Sequence, residues 1–94
     1  MEKVLFLTIK KTYFDRIESG VKTSEFRAYK PYWIKRLMND DGSMKHYDAV
    51  LFQNGYNANA PRLLVELKSI SIVRYKISWL KSEKLFELKL GKIR

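Results

Sequence analysis

The chain has 94 residues, enough for one domain with a single modest core. Apolar residues make up 46% and aromatics 14%, which excludes a disordered chain, and the absence of cysteine excludes a disulfide framework or a thiolate metal site. Nineteen basic residues against ten acidic ones give a formal charge of +9, which favours a polyanionic partner through counterion release and long-range steering.

His46 is the only histidine, and no dense acidic cluster suits a magnesium-type ion, so neither a metal nor a cofactor is expected. The opening "MEKVLFLTIKK" holds only six residues between charges, too few for a signal-peptide core or a spanning helix. A soluble, cytoplasmic protein without a membrane partner is the expectation.

Val4 to Ile9 reads as a strand buried on both faces near its middle. Thr12 suits an N-cap, with Phe14 and Ile17 (and Tyr13 beside them) forming the apolar stripe of a helix from about Tyr13 to Ser19. Gly20 then closes that helix. Lys22 to Tyr29 alternates as a strand, with Phe26 expected in the core. Pro31 opens a second short helix carrying Tyr32, Trp33, Ile34, Leu37 and Met38.

"NDDGS" (Asn39 to Ser43) is a turn, and "YDAVLFQ" (Tyr47 to Gln53) is the next strand. "NGYNANAPR" (Asn54 to Arg62) is an asparagine-rich loop of the kind that often carries function. From Arg62 to Tyr75 a long strand changes phase, with Leu63, Val65 and Leu67 apolar first and Ile70 and Ile72 afterwards. That switch predicts a bulge or bend near Lys68–Ser69. "SWLKSEK" (Ser78 to Lys84) reads as a connector or single helical turn, and Leu85 to Ile93 as the last strand. The fold expected is α+β: one domain over residues 1–94, a compact, partly open barrel of about five strands with two peripheral helices.

The chemistry concentrates in "ESGVKTSEFRAYKPYW" (Glu18 to Trp33). Thr23, Glu25 and Arg27 share one strand face. If that face is interior, the two charges must pair with each other or with a ligand; if it is exposed, they are solvated and contribute little. Lys22, just past Gly20, is a solvated lysine, a phosphate clamp or a desolvated base. Tyr29, Tyr32 and Tyr56 are candidate base-stacking residues, Arg62 a further phosphate contact, and Asn54 and Asn57 base-edge partners or turn caps. Glu66 interrupts an apolar run and either pairs with Lys22 or Arg27 or faces solvent.

"SGVKTSEFR", then "YKPYW", "VLFQNGY" and "APRLLVELKSI", resemble the ASCH domain family of the PUA-like superfamily, from about Leu5 to Ile72. Gly20, Lys22, Thr23, Glu25 and Arg27 fit its G-x-K-T-x-E-x-R core. The resemblance implies a small PUA-like mixed β-barrel with helices at its rim and an RNA-binding cleft lined by the lysine and the charged strand. On that basis the RNA contacts expected are Lys22, Thr23 and Arg27, with Tyr29, Tyr32, Asn54, Tyr56 and Arg62 around them.

Some relatives are ribonucleases or amidohydrolases acting on N4-acetylcytidine nucleosides, so a hydrolase using Lys22 and Glu25 is the alternative. In the amidohydrolase pattern a threonine hydroxyl follows the Lys-Thr pair by two residues, where this chain has Glu25, and a carboxylate does not simply replace that nucleophile. The extended helical segment with a further acidic residue in that branch is also missing. The partners expected are RNA or another nucleic acid, or a nucleoside, with an acidic protein as the remaining possibility.

Overall fold

A computed structural model describes residues 1–94, arranged as five strands and two helices. In β1 (Val4–Ile9) the side chains alternate: Leu5, Leu7 and Ile9 are buried, while Val4 and Phe6 face outward. The expectation of a doubly buried strand fails at Phe6, because only one face of the sheet carries the core.

α1 (Lys11–Glu18) buries Phe14 and Ile17, three residues apart on one stripe. It starts earlier than expected. Lys10, in extended conformation and with no side-chain cap, precedes it, and Thr12 lies inside the first turn. Gly20 ends the helix at φ +85°, where a side chain would be strained, and donates its N–H to the Ile17 carbonyl. β2 (Ser24–Ala28) follows, then α2 (Pro31–Leu37), with Pro31 in the first turn as expected and Leu37 fully buried.

β3 (Ala49–Asn54) is the most deeply buried strand, with Ala49, Val50, Phe52 and Gln53 all inside. It pairs in parallel with β1 and antiparallel with β4 (Arg62–Ser78). β5 (Lys81–Ile93) pairs antiparallel with both β4 and β2, giving the mixed order β1-β3-β4-β5-β2. The register of β4 slips between Val65 and Leu67 and again between Leu67 and Ser69, where the phase change predicts a bend. The bend lets Arg62–Glu66 pair with β3 while the remainder runs along β5.

The β4–β5 connection also differs from the sequence reading. Ser78 to Lys84 is no helical turn. Trp79 and Leu80 form the tip of one long β4–β5 hairpin, and Lys81 to Lys84 belong to β5. The five-stranded mixed sheet is open, with β1 and β2 as its two edges and no backbone ladder closing them.

Side chains bridge the gap instead. Arg27 donates from Nη2 to the Thr8 carbonyl, and Arg36 from Nη2 to the Phe6 carbonyl, each at 3.2 Å. Both guanidiniums also lie against the Trp33 ring, Arg27 at 4.9 Å and Arg36 at 5.4 Å from its centroid. Thus α2 and two arginines cover the free edge of β1, which would otherwise offer bare carbonyls to another chain. No helix is long and apolar enough to cross a membrane.

At the opposite end, Asp48 ties the starts of β1 and β3 together. It accepts the Lys3 N–H at 2.8 Å, donates its own N–H to the Lys3 carbonyl at 2.8 Å, and faces His46 Nε2 at 2.9 Å. The Lys3 N–H first, and His46 after it, hold the Asp48 carboxyl below its ordinary value of 3.8. A depressed carboxyl contributes stability above the ordinary value and loses it as pH falls through the lowered one. Thermal unfolding followed from neutral pH downward should therefore show Tm dropping below pH 3.8 more steeply in the wild type than in Asp48→Asn.

Candidate functional site

Gly20 sets the site in place. Its left-handed turn lets the Lys22 N–H return to the Arg16 carbonyl at 2.9 Å, which fixes the chain as it leaves α1 and enters β2. On β2 the period-two alternation runs opposite to the hydrophobic expectation. Glu25 is 7% exposed and Phe26 is 44% exposed. The expectation of Phe26 in the core is thus overturned: the charged face of β2 is the interior one.

Glu25 is not left alone there. Its Oε1 is 3.3 Å from Lys22 Nζ, and its Oε2 accepts from Arg27 Nη2 at 2.6 Å. Two cations thus share one carboxylate, leaving the group net positive in a place largely screened from water. Such a cluster holds together only because each charge has a partner. Both Arg27 hydrogen bonds leave from Nη2, and its Nε is buried with no partner in the protein. That guanidinium retains donors for a further acceptor.

The three residues line a cleft of about 470 Å³ between the edges of β1 and β2. Thr8, Ile9 and Lys10 form one wall, and Tyr13, Phe26 and Ala28 complete the lining. The size is that of an ordinary small-molecule site. Lys22 Nζ stands between two aromatic faces, 5.6 Å from the Tyr13 centroid and 5.7 Å from that of Phe26. Both rings are nearly half exposed. The arrangement offers positive charge at the floor and flat apolar surface at the mouth.

A neighbouring depression shares Thr8, Ile9 and Lys10 with the cleft and is completed by Lys11, Asn54, Gly55 and Tyr56. Parallel pairing of Ile9 with Asn54 brings it there, since it places the C-terminal ends of β1 and β3 side by side. Tyr56 is 90% exposed. Buried Gln53 shapes the following loop: its amide donates to the Gly55 and Asn57 carbonyls at 2.8 and 3.3 Å, while its Oε1 accepts from Arg62 Nε at 3.0 Å. Arg62 therefore helps to brace the loop and does not line the cleft. The Asn57 side chain accepts the Asn59 N–H at 3.0 Å, the turn-capping role.

The remaining expected residues are scattered. Thr23 is exposed on another depression, beside Gly91 and Lys92, which shares Lys22 with the cleft. Tyr29 packs against Phe86 with centroids 5.2 Å apart, so its ring is half committed to the core. Tyr32 lies on α2, where its hydroxyl accepts from Arg36 Nη1 at 2.7 Å. Glu66 pairs with neither Lys22 nor Arg27; its carboxyl lies over Gly91, where a Cβ would overlap it. Sequence reasoning missed Tyr13, Phe26 and Lys10 as cleft walls and Trp33 as the ring that both Arg27 and Arg36 approach. The usable signal was the charged pair itself, because an interior Glu25 and Arg27 force Phe26 to the opposite face.

No protein-family model, characterised protein or solved structure matches this chain, so the residues themselves carry the functional argument.

Proposed function

We propose that this is an RNA-binding domain of the ASCH, PUA-like kind, a partly open barrel whose cleft between β1 and β2 takes a phosphate and its adjoining base. One observation supports the reading above the others: Lys22 and Arg27 converge on a single buried carboxylate, Glu25, between the exposed Tyr13 and Phe26 rings. The excess positive charge suits a phosphate, and the rings suit a base face. Lys10, Asn54 and Tyr56 in the adjoining depression extend the same chemistry to a second nucleotide. The overall charge of +9 supports a polyanion at long range, and the cytoplasm is where such a domain would meet RNA.

Binding is favoured over turnover because both Glu25 oxygens are engaged by cations, which turns them away from a substrate proton. Fluorescence anisotropy with a short single-stranded RNA provides the test. Affinity should fall steeply as salt rises, by about 0.7 in log–log slope for each phosphate contacted. Lys22→Gln and Lys10→Gln should each weaken binding by roughly tenfold at low salt and flatten that slope by about one contact. Affinity indifferent to salt and to both substitutions would remove the proposal. Cleavage of the RNA that disappears in Lys22→Gln would replace it with the hydrolytic reading.

A further inference from the structure

The β4–β5 hairpin extends well past the rest of the sheet. β3 leaves β4 at Glu66, and β2 leaves β5 at Leu85, which pairs with Ala28 in the cleft wall. Beyond the Val73–Leu85 pair, the two strands pair only with each other, from Arg74–Lys84 to Ser78–Lys81. An isolated two-stranded ribbon contributes little to stability and buries little. This one nevertheless exposes Tyr75, Ile77, Trp79 and Leu80, with Trp79 81% exposed at the turn. Around them stand Arg74, Lys76, Lys81 and Lys84, with Glu83 as the only carboxylate.

The position of these cations selects the partner. Arg27 pairs with Phe86 and Glu25 with Leu88, so the interior face of β2 and the even-numbered face of β5 are one surface. Lys84 follows Phe86 on that face, and Arg74 lies directly opposite Lys84. Lys84 Nζ lies 5.2 Å from the Tyr29 centroid, at the junction of the arm and the body. A line of positive charge (Lys84, Arg74 and Lys76) therefore runs along the inner face of the arm, on the sheet face that carries Arg27 but beyond the buried Phe86, toward an aromatic tip. A polyanionic strand can follow such a path. A lipid surface would engage the tip alone, and a second copy of this chain would meet like charge.

We propose that the β4–β5 arm is a second nucleic-acid contact, in which Arg74, Lys76 and Lys84 follow the phosphates and Trp79 stacks on an unpaired base. This rests on the reading of the cleft as an RNA site and adds a length requirement to it. From Phe86 to Lys81 the arm rises about 17 Å at ~3.3 Å per residue, so only a strand of several nucleotides reaches both places.

Two RNAs distinguish the two contacts, one of about three nucleotides, below the usual single-strand site size, and one of about twelve, within it. Trp79→Ala combined with Leu80→Ala changes only exposed side chains at the turn. It should leave affinity for the short RNA unchanged and weaken the long one by roughly tenfold, the scale of one lost base stack. The long RNA should also quench Trp79 fluorescence, read as the difference between wild type and Trp79→Phe. Equal affinity of the tip variant and wild type for the long RNA would overturn the arm and leave the cleft standing. Tip-dependent binding of the long RNA that ignores Lys22→Gln would keep the arm and remove the cleft. Tip-dependent sedimentation with phosphatidylserine vesicles, or tip-dependent dimerisation, without RNA binding would overturn both.

Discussion

Glu25→Ala should destabilise the protein by about 3–5 kcal/mol, the usual cost of removing one partner from a buried charge cluster. The substitution leaves Lys22 and Arg27 facing each other, each with its side chain only 18% exposed and with no carboxylate between them. Arg27 retains the Thr8 carbonyl, but Lys22 loses its only ion pair. Urea denaturation should show a lower midpoint with little change in slope, the signature of lost stability in an intact fold. Glu25→Gln should cost less, because an amide oxygen can still accept from one of the two cations. A loss in Glu25→Ala of the size typical of exposed substitutions, about 0.5 kcal/mol or less, would mean that the triad is not a structural unit.

The same pair of variants tests what the triad is for. Removing the carboxylate charge in Glu25→Gln raises the net charge of the cleft, so the folded variant should bind short RNA more tightly at low salt. If Glu25 served catalysis instead, this variant would lose turnover without gaining affinity. A triad of this kind is a poor choice for stability alone, since well-packed apolar residues of similar volume are often neutral or better. Lys22→Met, Glu25→Leu and Arg27→Met combined should therefore recover much of the loss in Glu25→Ala while abolishing binding.

Most of the element order was legible because period, proline and glycine act locally. Pro31 and Gly20 marked helix ends that the structure retains, and the phase change in β4 located its bend. The start of α1 was not, because Thr12 reads as a capping hydroxyl while the helix begins at Lys11, after a Lys10 that makes no side-chain cap. Leu85 to Ile93 read as a strand by its apolar alternation, whereas Ser78 to Lys84 lacks that alternation because no third strand pairs with the ribbon there. The face of β2 was the most consequential ambiguity. Burying Phe26 satisfies hydrophobicity, yet Glu25 and Arg27 are interior because Lys22, Thr8 and Trp33 supply partners from three other parts of the chain. Those partners are distant in sequence, or on the wrong phase to be recognised from β2 alone. Which two strands flank the opening was likewise out of reach, since it depends on how five strands are ordered in space.

Phe86→Ala against Phe26→Ala tests that reversed face directly. Phe86 is fully buried, pairs with Arg27 on one side and Ile72 on the other, and supports the Tyr29 ring at 5.2 Å. Truncating it should cost about 3–5 kcal/mol, transfer and cavity terms together. That is a large share of the ~5–15 kcal/mol available to a domain of this kind, so Phe86→Leu, a smaller truncation, serves as the folded companion. Phe26, with 44% of its surface exposed, should lose less than about 1 kcal/mol on truncation while weakening RNA binding by removing one wall of the cleft. Phe86→Leu should also loosen binding, but through Arg27, whose backbone partner it is, so its effect should vanish in an Arg27→Ala background while that of Phe26→Ala persists. Equal stability losses at the two phenylalanines would return Phe26 to the core and Glu25 to the surface, and the cleft would lose its floor.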